Sequence, residues 1–338
     1  MSAHGQHRIV TPDVGELLAR AHVVSLPLRV RFRGVVRREI LLLDGPEGWA
    51  EFSPFTEYDD AEAASWLACA VEAGWVGFPP PVRDRVPVNA TVPAVAASGV
   101  GEVLVAFDAA HTVKIKVAER GQSLADDVAR VAEVRRLLPH AALRIDANAG
   151  WNHTDALAAL EELLPYGLEY AEQPVAGIDG LRRLRLEVIR RGWGIPIAAD
   201  ESVRKESDPL AVARADAADL IVVKAPPLGG IRRALDIVAE AGLPAVVSSA
   251  LDSSIGTRAG AALAAALPDL PYACGLGTVS LFAEDVSTER YEARGGALDL
   301  RPVAADPELL RRHAAPPERR AWWLERLRRC GELLVTSA

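Results

Sequence analysis

From about residue 86 the chain alternates short β-branched runs with polar or glycine-containing loops and amphipathic stretches of helical period. The apolar runs cover 86–92, 112–117, 143–147, 168–172, 196–200, 219–224, 245–249 and 272–276. Between them, 123–138, 154–164, 180–191, 231–241 and 255–267 place apolar residues three and four apart, the spacing of one helix face. Strand ends near 116, 146, 172, 200, 224 and 249 are separated by steps of 30, 26, 28, 24 and 25 residues. That rhythm predicts βαβ units sharing one parallel sheet. Eight strands in about 200 residues predict a closed barrel of the TIM type with its last helix altered, a (β/α)7β barrel. A doubly wound open sheet is the competing arrangement, but no glycine-rich dinucleotide fingerprint follows the first strand.

Residues 1–85 follow a different pattern. Segments 22–30, 35–44 and 48–52 read as antiparallel strands, with Asp44-Gly45-Pro46 supplying turn chemistry. A helix is predicted over 59–74, where Asp59, Asp60 and Glu62 favour its positive N-terminal end. This is a small α+β domain, joined to the barrel through Pro79-Pro80-Pro81 as a stiff linker. The barrel is expected to occupy 86–290. Beyond it, the segment 291–338 is expected to return to the first domain through an arginine-rich, tryptophan-bearing helix over 317–333.

Composition narrows the function. Half of the 338 residues are apolar and a quarter charged, as in ordinary globular proteins. The net charge of −8 argues against nucleic acid as a partner, because phosphate recognition needs a basic surface. A membrane span needs about 20 apolar residues, and the longest apolar run, 259–267, is far shorter, so no membrane insertion is expected. The start, Met1 to Gln6, is polar, and Cys69, Cys274 and Cys330 match neither a disulfide framework nor a metal-binding pair. A reduced, cytoplasmic protein is expected.

Of 38 basic residues only four are lysine: Lys114, Lys116, Lys205 and Lys224. Arginine keeps its proton at any working pH, whereas lysine can lose it when its pKa is lowered. A chain that otherwise uses arginine therefore raises the question of what its lysines do. Lys205, beside Glu206, reads as ordinary surface. The others fall at strand ends, where barrels of this type carry their chemistry. The second strand ends Lys114-Ile115-Lys116, the third Arg144-Ile145-Asp146-Ala147-Asn148, the fourth Glu172-Gln173-Pro174, the fifth Asp200-Glu201-Ser202 and the sixth Val223-Lys224. Residues two apart share a strand face, so Lys114 with Lys116, and Asp146 with Asn148, point together toward the barrel mouth.

Three successive strands thus offer Asp146, Glu172 and Asp200. Unpaired, three such carboxylates would repel one another, and a hard divalent cation relieves the conflict: Mg²⁺, with Mn²⁺ as a substitute. Lys116, with Lys114 beside it and a metal close by, is expected to have a lowered pKa and to act as a base. No histidine stands at a late strand end, and no Ser-His-Asp or Cys-His arrangement is evident.

Lys-x-Lys, Asp-x-Asn, Glu-Gln-Pro, Asp-Glu-Ser and a sixth-strand lysine, each one unit apart, resemble the enolase superfamily, and the two opposed lysines resemble its muconate-lactonizing subgroup. Within the subgroup, the segments Phe32-Arg33-Gly34, 48–55 (Gly-Trp-Ala-Glu-Phe-Ser-Pro-Phe) and 248–256 (Ser-Ser-Ala-Leu-Asp-Ser-Ser-Ile-Gly) resemble an actinobacterial dehydratase branch. The resemblance implies that residues 1–85 form an α+β capping domain whose loop near 32–35 closes over a small carboxylate substrate. It further implies Mg²⁺-dependent syn dehydration of 2-succinyl-6-hydroxy-2,4-cyclohexadiene-1-carboxylate to 2-succinylbenzoate through an ene-diolate, a step in menaquinone biosynthesis. In that scheme Lys116 is base and then acid, Lys224 is the cation on the opposite face, and Lys114 tunes Lys116. Asp146, Glu172 and Asp200 hold the metal, with Asn148, Arg144 and Glu201 orienting them. Ser248, Ser249 and Thr91 are candidates for holding the substrate. Racemisation of N-succinylamino acids or epimerisation of dipeptides is the alternative on the same two lysines. A Schiff-base aldolase and a barrel with a purely structural ion are more distant alternatives.

Overall fold

The computed structural model describes residues 12–32, 34–204 and 208–337, the side chains as far as 334. Met1 to Gln6, Arg33, Lys205 and Glu206, all considered above, lie outside the described residues.

Three antiparallel strands, β1 (Ala21–Phe32), β2 (Val35–Gly45) and β3 (Gly48–Phe52), open the chain in the order β1-β2-β3. Alternation along a strand sends successive side chains to opposite faces. Val23, Leu41, Leu43, Ala50 and Phe52 pack on one face, with Trp66 and Leu67 of the helix Asp60–Val71. Val24, Leu26, Ile40 and Leu42 join the larger core shared with the barrel. Both faces are covered. The helix begins where Asp59 accepts the Glu62 amide at 2.8 Å. It passes into a π turn, Glu72–Val76, that brings the backbone against the β2–β3 turn. A Cβ at Gly45 would lie 2.2 Å from the Gly74 carbonyl oxygen, so only glycine fits there.

The C-terminal helix Pro317–Ser337 lies on this first domain. Trp323 is fully buried, packs edge-on against Phe52 and donates through Nε1 to Glu39 at 2.9 Å. Arg326, almost as buried, donates to the Phe55 carbonyl at 3.2 Å.

The run at 86–92 is divided in two. β4 (Arg85–Pro87) pairs antiparallel with β12 (Ala297–Asp299) beside the barrel, and β5 (Ala90–Val92) enters it. The parallel sheet continues through β6 (Thr112–Lys116), β7 (Ala142–Asp146), β8 (Leu168–Glu172), β9 (Ile197–Ala199), β10 (Leu220–Val223) and β11 (Ala245–Val247) in sequence order. An eighth stave closes the ring with little regular strand. The Gly275 amide donates to Val247 at 2.8 Å, and the Cys274 amide to Pro87 at 2.7 Å. Its brevity follows from close approach: a Cβ at Gly275 would stand 2.5 Å from Ser248 Oγ. A short helix, Asp208–Arg214, between β9 and β10 has too few residues to show a period and was not anticipated.

Outward-facing Val113, Ile115, Leu143 and Ile145 pack under the surrounding helices. Their neighbours in sequence point inward. Arg144 is wholly buried in the barrel, 4.7 Å from the Tyr170 ring centroid, and forms with Tyr170 and Tyr272 a floor beneath the strand ends. Among the described residues, no helix is long and apolar enough to cross a membrane.

Trp323→Ala should destabilise the protein by about 3–5 kcal/mol in denaturant unfolding, the range for a buried tryptophan. The Glu39 carboxyl is held below its ordinary range by hydrogen bonds from Arg319 first, with Trp323 adding and burial opposing. Its stabilising contribution is therefore present above the usual carboxylate range and lost as pH falls through the depressed value. Melting curves across pH should show Glu39→Gln below wild type at neutral pH, with the gap closing in acid.

Candidate active site

The inward positions of β6, β7, β8 and β9 converge above the Arg144 floor. In register, Lys116 pairs with Asp146 and Asp146 with Glu172, while Glu172 pairs with Ala198, two residues before Asp200. The three acids therefore stand on adjacent staves at nearly the same height. Glu172 is fully buried, Asp146 is 1% exposed and Asp200 7%. So many charges in so little water must answer one another. Lys114 Nζ donates to both Glu172 oxygens, at 2.9 and 3.1 Å, and lies 3.4 Å from Asp146 Oδ2. Lys116 donates to the same Asp146 oxygen and to Asn148 Oδ1, the latter at 2.7 Å. Across the mouth Lys224 donates to Asp200.

The electrostatics record this crowding. Burial pushes the Glu172 carboxyl up to about 8, with Asp146 and Asp200 adding to the push and Lys114 opposing it. Burial also works to raise Asp200, but the Lys224 ammonium prevails and holds it below the usual range. Lys114 is raised rather than lowered. Burial acts to lower it, yet Glu172 and Asp146 outweigh that and raise it well above the ordinary value. The lysine beside acidic staves is held protonated by them. Among the described residues, no three acidic, histidine or cysteine side chains are drawn together as a metal-holding group. Asp146 and Glu172 close on Lys114 and Asp200 closes on Lys224, each acid following its nearest positive charge.

A cavity of about 30 Å³ lies over these groups. Lys114, Lys116, Asp146, Asp200 and Lys224 line it from below. Thr91, Ser248 and Ser249 reach it from β5 and from the segment after β11. Ser249 is tied to its surroundings: its hydroxyl is 3.0 Å from the Gly275 carbonyl oxygen and 2.7 Å from Thr278 Oγ1. Phe32, from the end of β1, closes the top with its ring 5.5 Å from Lys116 Nζ, and Phe55 closes the side. No histidine lines the cavity among the described residues.

The three residues expected to orient the acids stand at different levels. Asn148 donates its amide N–H to Asp146 at 3.0 Å and its side-chain Nδ2 to Glu201 at 2.9 Å. Arg144 shares the inward face of β7 but lies one layer lower. Its guanidinium goes to Glu169 at 2.5 Å, Asn89 at 3.1 Å and the Ala273 carbonyl at 2.6 Å, so it braces the barrel floor.

The sequence reading passed over Gln173 as a working residue, though the Glu-Gln-Pro motif displays it. Its Oε1 accepts the Asp200 amide at 2.9 Å and the Ser202 amide at 3.1 Å. Its Nε2 donates to the Val175 carbonyl and Ser202 Oγ, both at 2.9 Å. With its backbone at φ 39, this buried side chain locks the ends of β8 and β9 together. Arg38 and Glu51 were also missed, since their partners lie about two hundred residues away. Arg38, 4% exposed, donates to the carbonyls of Ser53 and Leu251 and stacks 4.2 Å from the Phe55 ring centroid. Glu51 accepts from Ser53 Oγ at 2.6 Å, Ser253 Oγ at 2.5 Å and the Gly256 amide at 3.1 Å. Together they tie the cap to the start of the barrel helix Ser254–Ala266.

Residues 99–304 match the enolase C-terminal domain-like family, and residues 23–74 match the enolase N-terminal domain-like family. Capped-barrel enzymes of the enolase superfamily are thus the class this fold defines. The chain is 54% identical over 329 residues to o-succinylbenzoate synthase of Mycobacterium tuberculosis (strain H37Rv), spanning 97% of this chain and 98% of that one. It is 52% identical over 328 residues to o-succinylbenzoate synthase of Mycobacterium leprae, at 97% and 96% coverage. The chain belongs to the o-succinylbenzoate synthase family. Among solved structures, muconate lactonizing enzyme from Pseudomonas fluorescens shares the fold at a TM-score of 0.75 with 22% identity, covering 88% of this chain and 98% of that one. A 2-chloromuconate cycloisomerase from Rhodococcus opacus does so at 0.73 with 24% identity and the same coverage.

Gln173→Ala leaves the Asp200 amide and the part-buried Ser202 amide, just after β9, without their acceptor. It should lower unfolding free energy by about 2–6 kcal/mol, at about 1–3 kcal/mol for each unsatisfied group. Denaturant titration measures this loss, and Gln173→Glu should not restore it, because it buries another carboxylate beside Glu172 and Asp200 and removes the donor to Val175 and Ser202.

Proposed function

We propose that this chain catalyses the syn dehydration of 2-succinyl-6-hydroxy-2,4-cyclohexadiene-1-carboxylate to 2-succinylbenzoate, a step in menaquinone biosynthesis. The observation that carries the reading is 54% identity across nearly the whole chain to relatives named for that product. The cavity supports it with an acidic wall and an amine on either side.

In the proposed mechanism Lys116, as the free amine, takes the proton α to the ring carboxylate. The C–H electrons move onto the carboxylate as an ene-diolate, and then form the new ring double bond as the C–O bond to the hydroxyl breaks. Lys116 then returns its proton to the leaving hydroxyl on the same face, and water departs from an aromatic ring. Positioned acid–base groups of this kind contribute about 10²–10⁴ in rate. Phe32 beside the amine excludes bulk water, which strengthens each charge interaction within. Lys224 keeps its proton and attracts the ring by charge and cation–π interaction. Lys114 holds Glu172 and Asp146 in place. Ser248, Ser249 and Thr91 offer hydroxyls to the substrate's oxygens from the opposite wall.

The donor set fits a hard divalent ion: three buried carboxylates on adjacent staves, among which Glu172 is raised first by burial and further by Asp146 and Asp200. Mg²⁺ held by Asp146, Glu172 and Asp200, with Mn²⁺ as substitute, would stabilise charge developing on the substrate carboxylate and release the lysines from the acids that hold their protons. Asn148 and Glu201 would orient those ligands. The three cysteines are buried and free, which supports a reduced, cytoplasmic setting.

The second reading, racemisation of N-succinylamino acids or epimerisation of dipeptides, draws on the same feature, since Lys116 and Lys224 enter the cavity from opposite sides. Turnover assays with the cyclohexadiene substrate and with N-succinylamino acids distinguish the two, and activity on the latter alone would overturn the dehydratase. Lys116→Ala should lower kcat by about 10³ or more. Lys224→Arg should mainly raise KM in a dehydratase, but abolish α-proton exchange from one enantiomer in a racemase. EDTA should remove activity and Mg²⁺ restore it.

A further inference from the structure

On the far side of Phe55 lies a much larger cavity, about 870 Å³, between the cap sheet, the segment 55–58 and the start of the C-terminal helix. Its described wall presents Arg37, Arg38, Arg204 and Arg319 against Glu39 and Glu57. Two of these arginines are committed elsewhere. Arg319 grips Glu39 with both sides of its guanidinium, at 2.8 and 2.7 Å, and Arg38 is buried against backbone carbonyls. Arg37 and Arg204 are not. Arg37 donates only to Ser25, at 3.1 Å to its hydroxyl and 2.6 Å to its carbonyl, and Arg204 rests 5.5 Å from the Tyr58 ring centroid. Neither has a carboxylate partner among the described residues. Excess positive charge is thus concentrated in one concavity of a chain whose net charge is −8.

This cavity leads toward the chemistry. Phe55, Tyr58 and Arg204 also line a small cavity of about 30 Å³ that reaches Asp200 and Lys224. Phe55 is common to both of these and to the catalytic cavity, and its ring is held from behind by Arg38. A substrate with a ring carboxylate and a succinyl carboxylate is a dianion, which the overall charge of the protein repels. Clefts lined with opposite charge raise association rates by about 10–10³.

We infer that the arginine-lined cavity is a capture vestibule for small dicarboxylates, with Arg37 and Arg204 drawing in the dianion and the Phe55 side chain separating it from the catalytic cavity. The inference rests on the proposed reaction for the identity of the dianion. The test compares wild type with paired substitutions of Arg37 and Arg204 by Lys, by Gln and by Glu. The association rate constant of 2-succinylbenzoate is read by stopped-flow tryptophan fluorescence at low and high salt, and kcat for the cyclohexadiene substrate is read in parallel. At low salt the Gln pair should associate at least about fivefold more slowly than wild type and the Glu pair more slowly still. The Lys pair should stay within about twofold, and all four should converge at high salt, where charge is screened. The loss should fall on association and spare kcat at saturation. An unchanged rate in the Gln pair, or a Lys pair as slow as the Gln pair, overturns the vestibule. Wild-type enzyme that binds 2-succinylbenzoate without turning over the cyclohexadiene overturns the reaction alone, and wild-type enzyme that fails to bind it overturns both.

Discussion

Like charge held out of water is the constraint around which this molecule is organised. Three carboxylates on neighbouring staves, each nearly or wholly buried, are not stable together as bare anions. The protein answers with ammonium groups from the staves on either side, Lys114 and Lys116 from β6 and Lys224 after β10. The raised Glu172 and the strongly held Lys114 are two sides of one balance. On the proposed reading, chemistry at this site would shift that balance, since a cation bound by the acids would free an amine and an anion bound near the amines would engage them.

Such a balance needs a rigid frame, and most of the frame lies outside the cavity. Arg144, Tyr170 and Tyr272 fill the barrel beneath the acids, which prevents the staves from collapsing inward. Gln173 fastens β8 to β9 at the height of Glu172 and Asp200. The cap is fixed in turn by Arg38 and Glu51, which bind backbone and hydroxyl groups of the barrel across the domain boundary. The cavity walls formed by Phe55 and the Ala250–Leu251 backbone are therefore set in part by Arg38 and Glu51, which do not line the cavity themselves.

Much of the barrel was legible because its determinants are local. A β-branched run followed by a stretch of 3.6-residue period needs no distant partner to be read, and the segment 231–241 is observed with the same bounds. The eighth stave was legible only as an apolar run, because its brevity comes from the contact between Gly275 and Ser248. The division of 86–92 depends on β12, some two hundred residues later. Lys114 and Lys116 could be placed on one face by counting. Arg144 was expected beside the acids, and it lies one layer below them with Glu169, Asn89 and Ala273 as partners, a depth that counting along a strand does not give.

What the sequence by itself determined was the alternation of elements, the shared face of Lys114 with Lys116 and of Asp146 with Asn148, and the choice of lysine at two strand ends in an arginine-rich chain. These follow from periodicity and residue chemistry, which act within a few residues. Tertiary structure alone decided which acid meets which amine, that Lys114 is gripped rather than loosened, and that Arg38, Glu51 and Phe55 join cap to barrel. Those outcomes depend on distances between residues far apart in the chain and on how little water separates them, and neither exists until the ring has closed.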